Sequence, residues 1–85
     1  MKVGALFYTK ENFEEFKRLA EDAWNIHDTF EEWQMATQAK VEEQRLVGNE
    51  IVPVYAEPSD VIEFASKINA QTRAAFAAFK LAQHA

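Results

Sequence analysis

Gly48-Asn49-Glu50-Ile51-Val52-Pro53-Val54-Tyr55 is the stretch on which the organisation of this chain turns. Gly48 and Asn49 are residues that stop a helix, because a left-handed backbone is least costly there. The run from Glu50 to Tyr55 is short and β-branched, and it reads as a strand. Pro53 has no N–H to give to a ladder, so this strand belongs at a sheet edge or carries a bulge.

On the N-terminal side of this stop lies a long helical pattern, residues 29–47. Its main stripe is Phe30, Trp33, Ala36, Thr37, Val41 and Val47, with Lys40 and Gln44 intruding. Met35, Ala39 and Leu46 make a weaker stripe on the far side. Its start offers two capping boxes, Asp28 with Glu31 and Thr29 with Glu32. Further back, Trp24 to Asp28 is a connection. Before it, Phe13, Phe16, Leu19, Ala20, Ala23 and Trp24 share one face of a helix over 10–22, which Thr9 caps. Glu11, Glu14, Glu15, Arg18, Glu21 and Asp22 fall on the opposite, solvated face. Residues 2–8, Lys2-Val-Gly-Ala-Leu-Phe-Tyr8, are apolar and aromatic and read as a strand, which Gly4 weakens.

On the C-terminal side, Pro58 and Ser59 open a third helix, 59–68, with Val61, Phe64, Ala65 and Ile68 on one face. Asn69 takes the left-handed conformation or caps the next helix. The fourth helix, 70–84, is apolar nearly all round. Thr72, Ala75, Phe76, Phe79 and Ala82 form one side, predicted to pack on the other helices. Ala70, Ala74, Ala77, Ala78 and Leu81 form another, predicted to lack intrachain cover. The expected class is α+β, mostly α, in the order β-α-α-β-α-α. If the strands pair, their helical crossover makes parallel pairing natural. The core is predicted to contain Phe13, Phe16, Trp33, Phe64 and Phe79.

Eighty-five residues suffice for one domain, 1–85, and not for two. A chain this short is often marginal alone, and with no Cys it has neither a disulfide nor a thiolate metal knot to help it. Self-association is then the cheapest extra stability. No segment is long enough to span a membrane, and the expected setting is cytoplasmic. The net charge of −5 is uneven: residues 1–66 carry −8 and residues 67–85 carry +3. An acidic surface of this kind repels phosphate backbones, so nucleic acid is not an expected partner.

Catalytic and cofactor motifs are sparse. Gly4 and Gly48 are too far apart for a phosphate-cradling loop. Ser59 reads as a cap, Ser66 as a helix residue, and neither sits in a nucleophile elbow. His27 and Glu31 are four apart, but no second His lies nearby and Glu31 has a capping role, so no metal is expected there or at His84. The doublets Glu14-Glu15, Glu31-Glu32 and Glu42-Glu43 read as solvated helix surface. Trp24 and Trp33 flank His27 and lie on core stripes, with partner contact as the alternative. Arg73 is expected to pair with an acid of the first or second helix, or else to capture an anionic ligand.

These features predict no enzyme and no cofactor. They predict a self-associating interaction module, a homodimer, with Trp24, His27, Arg73, Ala74, Ala78 and Leu81 as candidate contact residues. A second reading is an acidic decoy or inhibitor of a basic protein, antitoxin-like or DNA-mimicking. A third is a small-ligand binder using His27, Glu31 or Arg73, which a convergent pocket would favour.

Overall fold

The computed structural model describes residues 1–83. Among them the order is β1 (Lys2–Phe7), α1 (Phe13–Leu19), a short 3-10 turn (Ala23–Asn25), α2 (Phe30–Leu46), β2 (Glu50–Tyr55), α3 (Pro58–Ala65) and α4 (Ala70–Gln83). This is the α+β, mostly α, β-α-α-β-α-α arrangement that the hydrophobic periods predict.

The strands pair in parallel, Lys2 with Glu50 through Phe7 with Tyr55. Each has only the other as a neighbour, so Pro53 sits on an edge strand, where its missing N–H costs least. Residues that pair in this register share a face. Gly4, Leu6, Val52 and Val54 look one way, while Ala5, Phe7, Ile51 and Tyr55 look the other. α4 lies on the first face, close enough that a Cβ on Gly4 would stand 2.7 Å from the carbonyl oxygen of Ala77. α2 lies over the second, where the rings of Phe7 and Trp33 meet edge-on at 5.7 Å.

Polar caps set the helix ends. Thr9 and Asn12 bond reciprocally: the Thr9 N–H donates to Asn12 Oδ1 at 2.9 Å and the Asn12 N–H to Thr9 Oγ1 at 3.2 Å. This box occupies the turn where the helix was expected to begin, so α1 starts at Phe13. The Asn12 amide also donates to the Ala56 carbonyl at 3.0 Å, tying the start of α1 to the end of β2. α2 uses the Thr29 register, its hydroxyl accepting from the Glu32 N–H at 3.1 Å. Thr29→Ala is expected to cost about 1 kcal/mol, the ordinary value of such a cap, and urea denaturation measures it. Gly48 ends α2 with φ +91°. α3 opens with Pro58 in its first turn and Glu57, not Ser59, as its cap residue. The left-handed residue after α3 is Ser66, at φ +68°; Asn69 instead exchanges hydrogen bonds with Thr72 to cap α4.

The core is Tyr8, Phe13, Phe16, Ile26, Val61, Ile68 and Phe76, with Leu6, Trp33 and Val54 packed against it. Phe64 and Phe79, expected inside, are 41% and 43% exposed. The cause is the roll of α4. Phe76 and Ala77 are its buried residues, while Ala75, Phe79 and Ala82 turn outward. Ala77, expected to lack cover, is fully buried, and Leu81 is half-buried with its Cβ near Gly4. A helix apolar on several sides carries no dominant stripe, so the sheet chooses its orientation. The side that fits against Gly4 is the one where Ala77 keeps the helix surface low.

Candidate functional site

α1 stops three residues before its expected end, and the site depends on this. Ala20 is extended and forms a parallel bridge with Ile68, and the Glu21 N–H donates to the Ile68 carbonyl at 2.8 Å. Leaving the helical period moves the next side chains off their expected faces. Trp24, placed in the core by the period, is 81% exposed. Asp22, placed on the solvated face, is buried.

Inside, Asp22 meets Arg73. The two guanidinium nitrogens Nη1 and Nη2 donate to Oδ1 and Oδ2 at 2.9 and 2.8 Å, a fork-on-fork pair. The side chains are only 9% and 13% exposed. Asn25 adds a 3.3 Å bond to Oδ2. The hydrogen bonds from Arg73 hold the Asp22 carboxyl below the usual carboxylate range, outweighing its burial. The expected pairing of Arg73 with an acid of the first helical segment is therefore present, across 51 residues of sequence. Beside it lies Tyr8, whose hydroxyl burial pushes up in pKa, opposed by the Arg73 charge.

Tyr8, Asn25 and Arg73 of this cluster line a groove of about 370 Å³. The groove touches four consecutive residues, Ala5, Leu6, Phe7 and Tyr8, and reaches Ile51 of β2. Ala5, Phe7 and Ile51 share the α2 face of the sheet, so the hollow lies over that face, and its contact with Leu6, whose side chain points to the other face, brings it to the backbone of β1. β2 occupies the other edge of β1. Among the described residues, the backbone of Val3 to Phe7 makes no hydrogen bond beyond the ladder with β2. One wall is α2, through Trp33, Ala36, Thr37, Lys40 and Val41; Asn25, Ile26 and His27 form the end, with Arg73 beside them.

The lining is apolar and carries no acid. In a chain with fourteen Asp and Glu, none of the groove residues is one, whereas His27, Lys40 and Arg73 are all present. Arg73 is neutralised by Asp22, and Lys40 makes no ion pair among the described residues. The groove thus offers an unpaired strand edge, apolar walls and a net positive rim.

The candidate contact residues divide. His27 and Arg73 converge on the groove. Trp24 does not line it, and Glu31 is exposed outside it. Ala74 and Ala78 lie on the exposed side of α4, and Leu81 turns toward β1. Among the described residues no three His, Cys, Asp or Glu side chains gather into a metal-binding group. His84 lies outside the described residues. Tyr8, Asp22, Asn25 and Lys40 belong to the site but not to the residues singled out from sequence. Asp22 had one usable signal, an acid at the end of the helical period over 10–22 with a lone Arg in the last helix to pair with it. No family model matches this chain, and neither a curated protein nor a solved structure matches it.

Proposed function

We propose that this chain is a non-catalytic interaction module that receives an extended, acid-bearing peptide segment as a third strand along the open edge of β1. The observation that carries this reading is the unpaired backbone of β1 bordering an apolar groove free of acidic residues. An exposed strand edge is a template for pairing, and a groove with walls on either side gives its occupant side-chain selectivity. Parallel sheets normally have several strands and two covered faces, so a third strand completes what two begin. The charge on Lys40 selects against basic segments. It also selects against a second copy of β1, which brings Lys2 and no acid. The two serines are exposed on and just after α3, outside the groove, and give no support to a catalytic reading.

The test uses two short peptides, one alternating valine with glutamate and one alternating valine with lysine. The glutamate peptide is expected to shift and protect the amides of residues 3–7 in heteronuclear NMR, and to bind more tightly than the lysine peptide. Lys40→Glu reverses one rim charge and is expected to weaken glutamate-peptide binding about tenfold, or about 1.4 kcal/mol. Silence of these amides toward both peptides at millimolar concentration rejects the reading. Saturable uptake of a small apolar carboxylate without amide protection assigns the groove to a small ligand instead.

A further inference from the structure

We propose that two copies of this chain associate through the open face of the α3–α4 pair, about a two-fold axis running along and between these helices. The peptide groove plays no part in this inference. Phe64 and Phe79 are 41% and 43% exposed, and their rings lie 5.2 Å apart. Phe64 also meets the buried Phe76 edge-on at 5.6 Å. The aromatic cluster is therefore anchored beneath and open above. Between the helices is a shallow hollow of about 300 Å³, lined by these three rings with Asp60, Glu63 and Lys80. Adjoining large apolar groups left in water mark a contact surface more often than scattered ones do.

Charge identifies the occupant. The α3 side of the hollow is acidic and the α4 side is basic; α4 has no acid among its described residues. Asp60 is already engaged, its carboxylate accepting from the Glu57 N–H at 2.9 Å. Glu63 and Lys80 make no ion pair among the described residues, and the Lys80 ammonium rests 5.7 Å from the centre of the Phe76 ring. A uniformly acidic partner meets Glu63 unfavourably, and a uniformly basic one meets Lys80. The matching surface carries both charges in swapped order. The proposed two-fold axis supplies it, setting α3 of one protomer opposite α4 of its partner, with Phe64 and Phe79 between. Glu63 and Lys80 line the same hollow from opposite helices, and the proposed axis brings each toward its opposite on the partner. This face replaces the Ala77–Leu81 side of α4, which β1 covers.

Sedimentation equilibrium up to several hundred micromolar tests it. The wild-type chain is expected to dimerise, and Phe79→Glu to remain monomeric with an unchanged far-ultraviolet dichroism spectrum. Glu63→Lys and Lys80→Glu alone are each expected to weaken association about tenfold, and the two together to recover most of that loss. The charge exchange keeps the test decisive even if Phe79→Glu does not fold. A wild-type chain that is monomeric throughout overturns the proposal. So does a double variant no tighter than either single one. A monomer that binds lipid vesicles through Phe79 assigns the face to a membrane surface and overturns it equally.

Discussion

Arg73→Ala is expected to destabilise the fold by about 3 kcal/mol, the lower end of the range for removing one partner of a buried ion pair. The lower end applies because both side chains retain a little exposure. For a chain of this length the whole stability is of order 4–13 kcal/mol, and the loss lowers Tm by roughly 12–24 °C. Most of it comes from Asp22, left buried and charged with only the Asn25 amide as partner. The double substitution Asp22→Leu with Arg73→Met removes both charges and is expected to recover more than half. A double variant as unstable as Arg73→Ala contradicts that account.

The same pair sets an acid dependence. The Asp22 pKa is lowered on folding, so its stabilising contribution is present above the unfolded value, about 3.9, and is lost as pH falls through the folded one. In Arg73→Ala the carboxyl is buried without its cation, and protonation relieves it. The stability gap between wild type and Arg73→Ala is therefore expected to be widest near neutral pH and to narrow below about pH 4. Urea titrations from pH 7 to pH 3 measure it. A constant gap removes the electrostatic explanation and leaves lost packing of the Arg73 stem.

Gly4→Ala is the second large effect. The added carbon would stand 2.7 Å from the Ala77 carbonyl oxygen, 3.1 Å from its carbon and 3.2 Å from the Leu81 Cβ. Two of these atoms are backbone, so no rotamer change relieves the contact and α4 has to move away from β1. Overpacking of this kind costs about 1–3 kcal/mol, offset by less than 1 kcal/mol from the reduced freedom of the unfolded chain. Chemical denaturation gives the value, and Phe76 and Leu81 resonances report the displacement of α4. Ala77→Gly in the same chain is expected to restore nothing, because the obstacle is the carbonyl and not the methyl. Wild-type stability for Gly4→Ala means that α4 lies farther from β1.

Gly4 shows how far a local reading reaches. As a residue in a strand pattern it only weakens the pattern; its use becomes visible once α4 lies against it. The elements themselves were legible because their signals are local. Thr29 with Glu32, Gly48, and Pro58 each act within one turn of backbone, and the two apolar runs have strand length. What misled was continuity of period. Ala20 to Trp24 continue the helical stripe of α1, yet the ladder bond to Ile68 draws that segment out of the helix. Trp24 goes to the surface and Asp22 goes inside, and no feature within ten residues of them announces the exchange.

The candidate site follows the same division. Of the six candidate contact residues, His27 and Arg73 line the groove, while Trp24, Ala74, Ala78 and Leu81 do not. Lys40 registered only as an intrusion on a core stripe, and Asp22 as one of many surface acids. Helix and strand identity, the Thr29 cap and the Gly48 stop of α2, the acidic balance and the order β-α-α-β-α-α are properties of neighbours along the chain, so the sequence by itself determined them. The roll of α4, the exposure of Phe64 and Phe79, the Asp22–Arg73 pair and the open edge of β1 were decided only by tertiary packing. The physical reason is that each depends on which of several equally apolar faces meets a segment tens of residues away. Close backbone approach and the satisfaction of one buried charge make that choice, and neither has a period in sequence.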